Sequence, residues 1–383
     1  MQYVLMMASD NKVSSGAFQS MSKLCQLIKK SGRYEPIVVL RNKGNGQQLL
    51  EQYGIRYCVI RSHSWIVPIG YSWTFQKKIK QLFQKVDNAL AVKKITALIK
   101  KREIALVHMN TSYTYVGALA AQKCGVPYVW HLRELLDLDQ NNTFWDDEYR
   151  VLYAKAARLI AISQFVYDHF SKKVGSTNMI MIPNGIDVSK YYMPDKKPFS
   201  GKCTHILCVG NMNGTKGQEI LIQACAYVKK HTTLKWCVEL VGGGTEENMY
   251  QEMSKHLGLE NEITFCGIQK NTIPYYQKAD IMIMSSKAEA FGRTTVEAMM
   301  AGCVIIGSNS GATPELLQNG KYGYLYNRTS PESLGQLLVY VLTHQEEAAF
   351  VAMAGQEMAK TYYTAERNAE LVQNVYDRIL EAK

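Results

Sequence analysis

The chain has 383 residues, 47% hydrophobic and 20% charged, with a formal net charge of +11. That composition excludes a disordered chain, and the length suits two domains better than one core. No apolar run approaches the ~18–20 residues that span a bilayer. The nine cysteines include no Cys-x-x-Cys and read as reduced, buried thiols, not as disulfides or a zinc site. Charge is unevenly spread: residues 1–190 hold 26 Lys and Arg against 13 Asp and Glu, and the remainder holds 18 against 20. An anionic partner for the first half alone is the expectation.

The opening segment, Met1–Ser9, has no basic stretch and reads as a strand, not a signal peptide. Strand-like runs follow at 36–40, 56–60, 104–109, 127–131 and 158–162, with helical patterns at 16–30, 46–53, 76–102, 114–124 and 146–156 between them. Such alternation predicts a parallel sheet covered on both faces. After the first strand, Gly16 lets the backbone approach a ligand at a helix start; a plain strand–helix connection is the other reading.

Residues 65–75 are apolar and aromatic without a clean period. Residues 76–102 then carry nine Lys and Arg against one acid, Asp87, with Ile79, Leu82, Phe83, Val86 and Leu90 at helical spacing. A basic amphipathic helix beside exposed aromatics fits an anionic membrane surface. The plainer alternative is a solvated face over a buried stripe. Nothing else resembles a nucleic-acid motif. His131 ends the strand 127–131 and precedes Arg133 and Glu134, which can orient an acceptor or each other. Asp137, Asp139, Asp146 and Asp147 lie in a polar loop and read as solvated, not as metal ligands.

The segment 182–187, Ile-Pro-Asn-Gly-Ile-Asp, reads as the link to a second set of strands at 205–209, 236–241, 262–266, 280–284, 304–307 and 323–326. The first of these runs into Gly210–Gly217, where glycines, Lys216 and a helix start at Gln218 form an anion cradle. The Gly-Lys-Ser/Thr order of a P-loop is absent. Gly242 to Gly244, and Gly267 with Ile268, follow later strands. The stretch Glu289–Gly302 sets two carboxylates eight positions apart around a Phe291-Gly292 turn, with Glu289 in a strand-end loop and Glu297 in the first turns of a helix. A glycine loop at 307–315 and a polar helix at 365–383 complete the chain.

Glu-x7-Glu followed by Ala-Met-x-Ala-Gly, with Lys216-Gly217 upstream, resembles the retaining glycosyltransferases of family 4. The resemblance implies the GT-B fold, an α/β architecture of two Rossmann-like, doubly wound parallel-sheet domains facing a cleft. Residues 1–185 would be the acceptor domain, with 365–383 crossing back onto it, and 186–364 the nucleotide-sugar domain. It implies a sugar moved from a nucleotide-diphosphate donor, UDP-sugar favoured, to a lipid-linked acceptor, without a metal or other cofactor, in the cytoplasm or at the inner face of the membrane. By resemblance Glu289 contacts the sugar, Glu297 the ribose, Gly267 and Ile268 the base, and His131 the sugar near the reacting carbon. Ala290, Phe291, Gly292, Arg293 and Thr294 complete the donor loop, and Arg133 and Glu134 lie by the acceptor. Two departures stand out. Relatives carry paired glycines where only Gly16 is present, and Asn211 replaces a phosphate-binding Arg that Arg293 is a candidate to replace. A nucleotide-sugar 2-epimerase on the same fold and a non-catalytic membrane-binding protein are the alternatives; a dinucleotide oxidoreductase lacks its Gly-x-Gly-x-x-Gly.

Overall fold

The computed structural model describes residues 1–382; residue 383, the end of the expected terminal helix, lies outside the described residues. The chain divides into two compact units. One comprises Met1–Gly185 and the segment from Ala365 onward, and the other comprises Ile186–Thr364.

The first unit contains β1 (Gln2–Met7), β2 (Tyr34–Leu40), β3 (Arg56–Val59), β4 (Ile66–Pro68), β5 (Ile104–Met109), β6 (Tyr128–Leu132), β7 (Asn142–Phe144), β8 (Arg158–Ala161) and β9 (Met179–Met181). Seven of these make a parallel sheet in the order β3-β2-β1-β5-β6-β8-β9, while β4 and β7 pair antiparallel apart from it. Every residue of β2 is buried, as expected of a strand covered on both faces. The second unit contains β10 (Thr204–Val209), β11 (Trp236–Val241), β12 (Ile263–Gly267), β13 (Ile281–Met284), β14 (Val304–Ser308) and β15 (Tyr324–Tyr326). They form one parallel sheet in the order β12-β11-β10-β13-β14-β15. Both sheets reverse their winding beside the first strand, between β1 and β5 and between β10 and β13. Loops leaving the carboxyl ends of such a strand pair diverge to opposite faces and open a crevice.

The helix Phe75–Arg102 departs from the plainer of its two readings, a solvated face over a buried stripe. Its inward residues are Asn88, Ala91, Val92, Ile95 and Ile99, packed on the helix Val116–Cys124. The stripe of Ile79, Leu82, Phe83, Val86 and Leu90 is exposed, with Phe75 and Phe83 at 79% and 68%. Trp65, grouped in the sequence with exposed aromatics, is instead fully buried; its Nε1–H donates to the Ser112 carbonyl at 2.6 Å. The segments β4, β7 and β9, and the helices Gln164–Val174, Pro331–Thr343 and Gln345–Tyr362, were not anticipated.

The helix Ala365–Glu381 belongs to the first unit, where it packs on the helix Gly16–Lys30 and buries Val372, Val375 and Tyr376 in the core. Arg33 pairs with Asp377 at 2.6 Å, and Asn368 Nδ2 donates to the Pro183 carbonyl at 2.6 Å. The two chain crossings are joined by a bridge between Ile186 and Thr364. Burying an aliphatic side chain is worth roughly 1.5–3 kcal/mol, and a domain's whole stability is about 5–15 kcal/mol. Deleting residues 365–383 is therefore expected to abolish the first unit's cooperative unfolding transition and spare the second's, as followed by calorimetry.

Candidate functional site

In the second unit the candidate residues gather at the carboxyl edge of the sheet, on either side of the winding reversal. The loop after β10 ends at Gly217, which has φ +72° and sits against the loop after β13: a Cβ there would lie 2.2 Å from the Ser285 carbonyl oxygen. Only glycine permits that approach. Ser285 Oγ donates to the Lys216 carbonyl at 2.8 Å, and Gln218 Nε2 reaches the Gly210 and Asn211 carbonyls. With its backbone so held, Lys216 places Nζ 2.5 Å from Glu289 Oε1. Ser286 Oγ donates to the same oxygen at 2.6 Å. The loop after β14 closes on this pair: the Ala312 N–H donates to the Glu289 carbonyl at 2.9 Å, and Gly311 comes so near that a Cβ would lie 2.4 Å from Glu289 N.

Gly292, at φ +88°, starts the helix Arg293–Met300. Glu297 lies on its first turns, buried, with Oε1 accepting from Arg293 Nη2 at 3.2 Å and Oε2 from the Tyr276 hydroxyl at 3.0 Å. The Arg293–Glu297 pair is an i,i+4 contact on one helix face. Ala290 and Phe291 are buried beneath the turn, Phe291 packing edge-on against Tyr363 at 5.7 Å. Thr294 follows, half-buried, in the first turn. Asn211 is exposed on the loop after β10. Gly267, at φ +63°, ends β12 and accepts from the Gly242 N–H at 2.9 Å, leaving Ile268 80% exposed beside Gly243.

In the first unit Gly16 opens the helix Gly16–Lys30, capped by Ser15, which also donates to Asp10 at 2.9 Å. His131 is fully buried near the end of β6. Its Nδ1 faces His108 Nε2 at 3.0 Å and Arg133 Nη2 at 3.2 Å. Arg133 is itself buried: Nε donates to Asn110 Oδ1 at 2.9 Å and Nη1 to Asn184 Oδ1. Glu134 turns to the Ser112 N–H. Burial raises its carboxyl to about 7, against the opposing pull of the Ser112 contacts. Asp137, expected to be solvated, is ion-paired with Lys173 at 2.7 Å, with His169 Nε2 3.1 Å away. Among the described residues no group of three or more His, Cys, Asp or Glu could hold a metal ion.

Residues 193–358 match the family model described as glycosyl transferases group 1, and residues 16–190 match that of glycosyltransferase family 4. The chain belongs to these glycosyltransferases. It is 25% identical over 175 residues to N-acetyl-alpha-D-glucosaminyl L-malate synthase of Bacillus anthracis, covering 46% of this chain and 45% of that one. It is 23% identical over 214 residues to a GDP-mannose-dependent alpha-(1-6)-phosphatidylinositol monomannoside mannosyltransferase of Mycobacterium tuberculosis (strain CDC 1551 / Oshkosh), covering 51% and 55%. The matched stretch thus spans about half the length of these curated relatives. Among solved structures, Anabaena Alr3699/HepE in complex with UDP-glucose superposes with a TM-score of 0.77 at 22% identity, over 99% of this chain and all of that one. The fold is that of the GT-B glycosyltransferases.

As a glycosyltransferase the chain holds its candidate residues in two sets. The second unit joins Lys216, Glu289 and the 307–315 loop, with Arg293 and Glu297 on the adjoining helix. The first joins His131 and Arg133. Ser286, Tyr276, His108, Asn110 and Asn184 support these sets and were not singled out by the sequence, since each does so through contacts its own motif does not announce. Glu134 provides a pH test. The folded chain keeps a proton between pH 4.5 and about 7 that the unfolded chain has lost. Stability therefore falls as pH rises through that window and levels off above it, by an amount on the order of 3 kcal/mol at about 1.4 kcal/mol per pKa unit. Glu134→Gln is expected to remove that share of the decline in denaturant titrations at several pH values.

Proposed function

We propose that this glycosyltransferase moves a sugar from a nucleotide-diphosphate donor, UDP-sugar favoured, to a hydroxyl of a lipid-linked glycan acceptor, with retained anomeric configuration, in cell-surface polysaccharide or glycolipid assembly. The observation that carries the reading is the meeting of Lys216 and Glu289 across the winding reversal, beside a helix start that only a glycine can seat there. The bond from the anomeric carbon to the diphosphate oxygen breaks, the acceptor oxygen bonds to that carbon on the same face, and the acceptor proton passes to the leaving diphosphate. Lys216, Arg293 and backbone N–H groups offset the charge that builds on the diphosphate, the task a divalent metal performs elsewhere. Glu289 takes sugar hydroxyls and Glu297 the ribose. The backbone of Gly267 and Ile268 receives the base, and His131 serves an oxygen of the sugar. Gly16 and Asn211 contribute backbone contacts near the donor, and Arg133 and Glu134 support the acceptor side.

The UDP-glucose complex of the Anabaena protein supports the donor class, and the phosphatidylinositol acceptor in the mycobacterial relative's name supports a lipid-linked acceptor. The exposed stripe of the helix Phe75–Arg102 supports peripheral attachment to an anionic membrane face. Lys77, Lys78, Lys80 and Lys85 flank it, and Trp73, Trp145, Lys78 and Lys85 help line an open cavity of about 440 Å³ in which aromatic rings and cations suit a phosphorylated head group. No helix of the described residues is long and apolar enough to cross a membrane. Nine free cysteines support a reducing, cytoplasmic location.

Thermal-shift screening of UDP-, GDP- and dTDP-sugars, followed by transfer assays with lipid-linked acceptors, tests the reading. Lys216→Ala is expected to lower turnover by roughly 100- to 1,000-fold with the fold retained; undiminished turnover would overturn it. Arg293→Ala is expected to weaken donor binding as well as turnover. The membrane part has its own measurement. Replacing Lys77, Lys78, Lys80 and Lys85 by Gln is expected to cut co-sedimentation with phosphatidylserine vesicles by a hundredfold or more at ~1 kcal/mol per cation, with no change on phosphatidylcholine alone.

A further inference from the structure

Two opposite charges occupy each other at the carboxyl edge of the second unit's sheet. Lys216 Nζ lies 2.5 Å from Glu289 Oε1, with the Lys216 side chain 33% exposed and that of Glu289 13%. Both residues are held by their backbones as well. Ser285 Oγ donates to the Lys216 carbonyl at 2.8 Å, and the Ala312 N–H donates to the Glu289 carbonyl at 2.9 Å. A Cβ on Gly217 would lie 2.2 Å from the Ser285 carbonyl oxygen, and one on Gly311 2.4 Å from Glu289 N. Drawing the loops apart would break these contacts, so the ion pair is relieved most readily by side-chain rotation. The two side chains are unequal in that respect. Ser286 Oγ donates to the same Glu289 oxygen at 2.6 Å and ties the carboxylate to its own loop. Lys216 has the greater exposure and a flexible four-carbon stem. An anion that takes the ammonium leaves the carboxylate with the Ser286 hydroxyl and sets a second negative charge beside it. A mostly buried charge stripped of its counter-charge is costly. A ligand bringing only phosphates meets that cost in full. A ligand with hydroxyls next to its phosphates supplies O–H donors to the carboxylate as it takes the ammonium.

We propose that Glu289 is the specificity-determining residue by which the second unit tells a sugar nucleotide from the nucleoside diphosphate that transfer leaves behind. Paired with Lys216, its carboxylate stands where a phosphate oxygen would, and it yields the ammonium to a ligand whose hydroxyls take the ammonium's place. The proposal rests on the donor reading given above. Its new content is that the carboxylate that takes the sugar also works against the bare diphosphate. A charge left unpaired in the wrong complex is a general source of specificity. Every group involved belongs to the second unit. The same exchange gives product release a direction. Once the sugar has left on the acceptor, Glu289 has lost its hydroxyl donors and retakes Lys216 from the diphosphate.

The test is isothermal titration calorimetry of the full chain with inorganic pyrophosphate, which carries the charge but no sugar or base. Glu289→Gln should bind it about tenfold or more tightly than the wild type. Glu289→Ala should do the same, which separates release of Lys216 from a contact made by the Gln amide. Adding Lys216→Ala to either variant should return the affinity to the wild-type level or below, because the freed ammonium is what the pyrophosphate gains. Thermal unfolding checks each variant, and should one Glu289 variant not fold, the other decides. No tightening overturns the proposal. So does tightening confined to the Gln variant when both fold, or tightening that survives the loss of Lys216. A second arm takes a UDP-, GDP- or dTDP-sugar that stabilises the chain and compares it with its own nucleoside diphosphate. Glu289→Gln should shift the two affinities in opposite directions, down for the sugar nucleotide and up for the diphosphate. A loss for the first with no gain for the second would be a plain sugar contact and overturns the proposal. A wild type that binds no sugar nucleotide would sink the functional reading. The pyrophosphate arm would still decide whether Glu289 competes for Lys216.

Discussion

The constraint on which the second unit's site rests is the seat of Gly217 against the Ser285 carbonyl, where a methyl group would stand 2.2 Å from oxygen. It brings the loop after β10 against the loop after β13, and the rest of that site depends on it. Ser285 holds the Lys216 backbone, Lys216 reaches Glu289, and Gly311 presses the loop after β14 onto the Glu289 backbone. Three loops from neighbouring strands are thereby fixed by backbone contacts, while the Lys216 ammonium and Glu289 carboxylate occupy each other. Under the proposed function, an anion and a hydroxylated ring would take the place of that mutual pairing. Preorganised charge of this kind is most effective where water is excluded.

The first unit uses the opposite economy, a polar network inside a sheet-and-helix core. Arg133, His108, His131, Asn110 and Tyr376 are all buried, and burying such groups is costly unless each finds a partner. Asn110 and Asn184 receive the guanidinium, and Tyr376 completes His108. The network also reaches the chain crossing, because Asn184 lies in the segment that leaves the unit and the neighbouring Pro183 carbonyl is held by Asn368.

What the sequence disclosed follows from how far apart the interacting residues are. Glu289, Phe291, Gly292 and Glu297 fall within one strand–turn–helix, so their spacing alone placed one carboxylate in the loop and the other on the first turns. Lys216-Gly217 was legible for the same reason. Tyr376 and His108 are 268 positions apart, and no local pattern distinguishes that tyrosine from the others in the chain. β4 and β7 are three-residue segments whose pairing skips a long helix, two strands of the main sheet and much of the unit, so neither announced itself. The stripe at 79–90 left two readings open. Its period correctly gave a helix, yet periodicity records only that one face is apolar, and here that face remains uncovered. His131 and Arg133 were singled out, but their partners Asn110 and Asn184 escaped because asparagine, as an uncharged partner, carries no signature in a sequence.

The second unit is an insertion within the first, entered at Ile186 and left at Thr364. During synthesis the ribosome releases the whole of that insertion before the helix bearing Val372, Val375 and Tyr376. The unit begun first is therefore the one completed last. Until that helix emerges, the nascent sheet of β1, β2 and β5 keeps an apolar flank open, while the inserted unit already holds every strand of its own sheet.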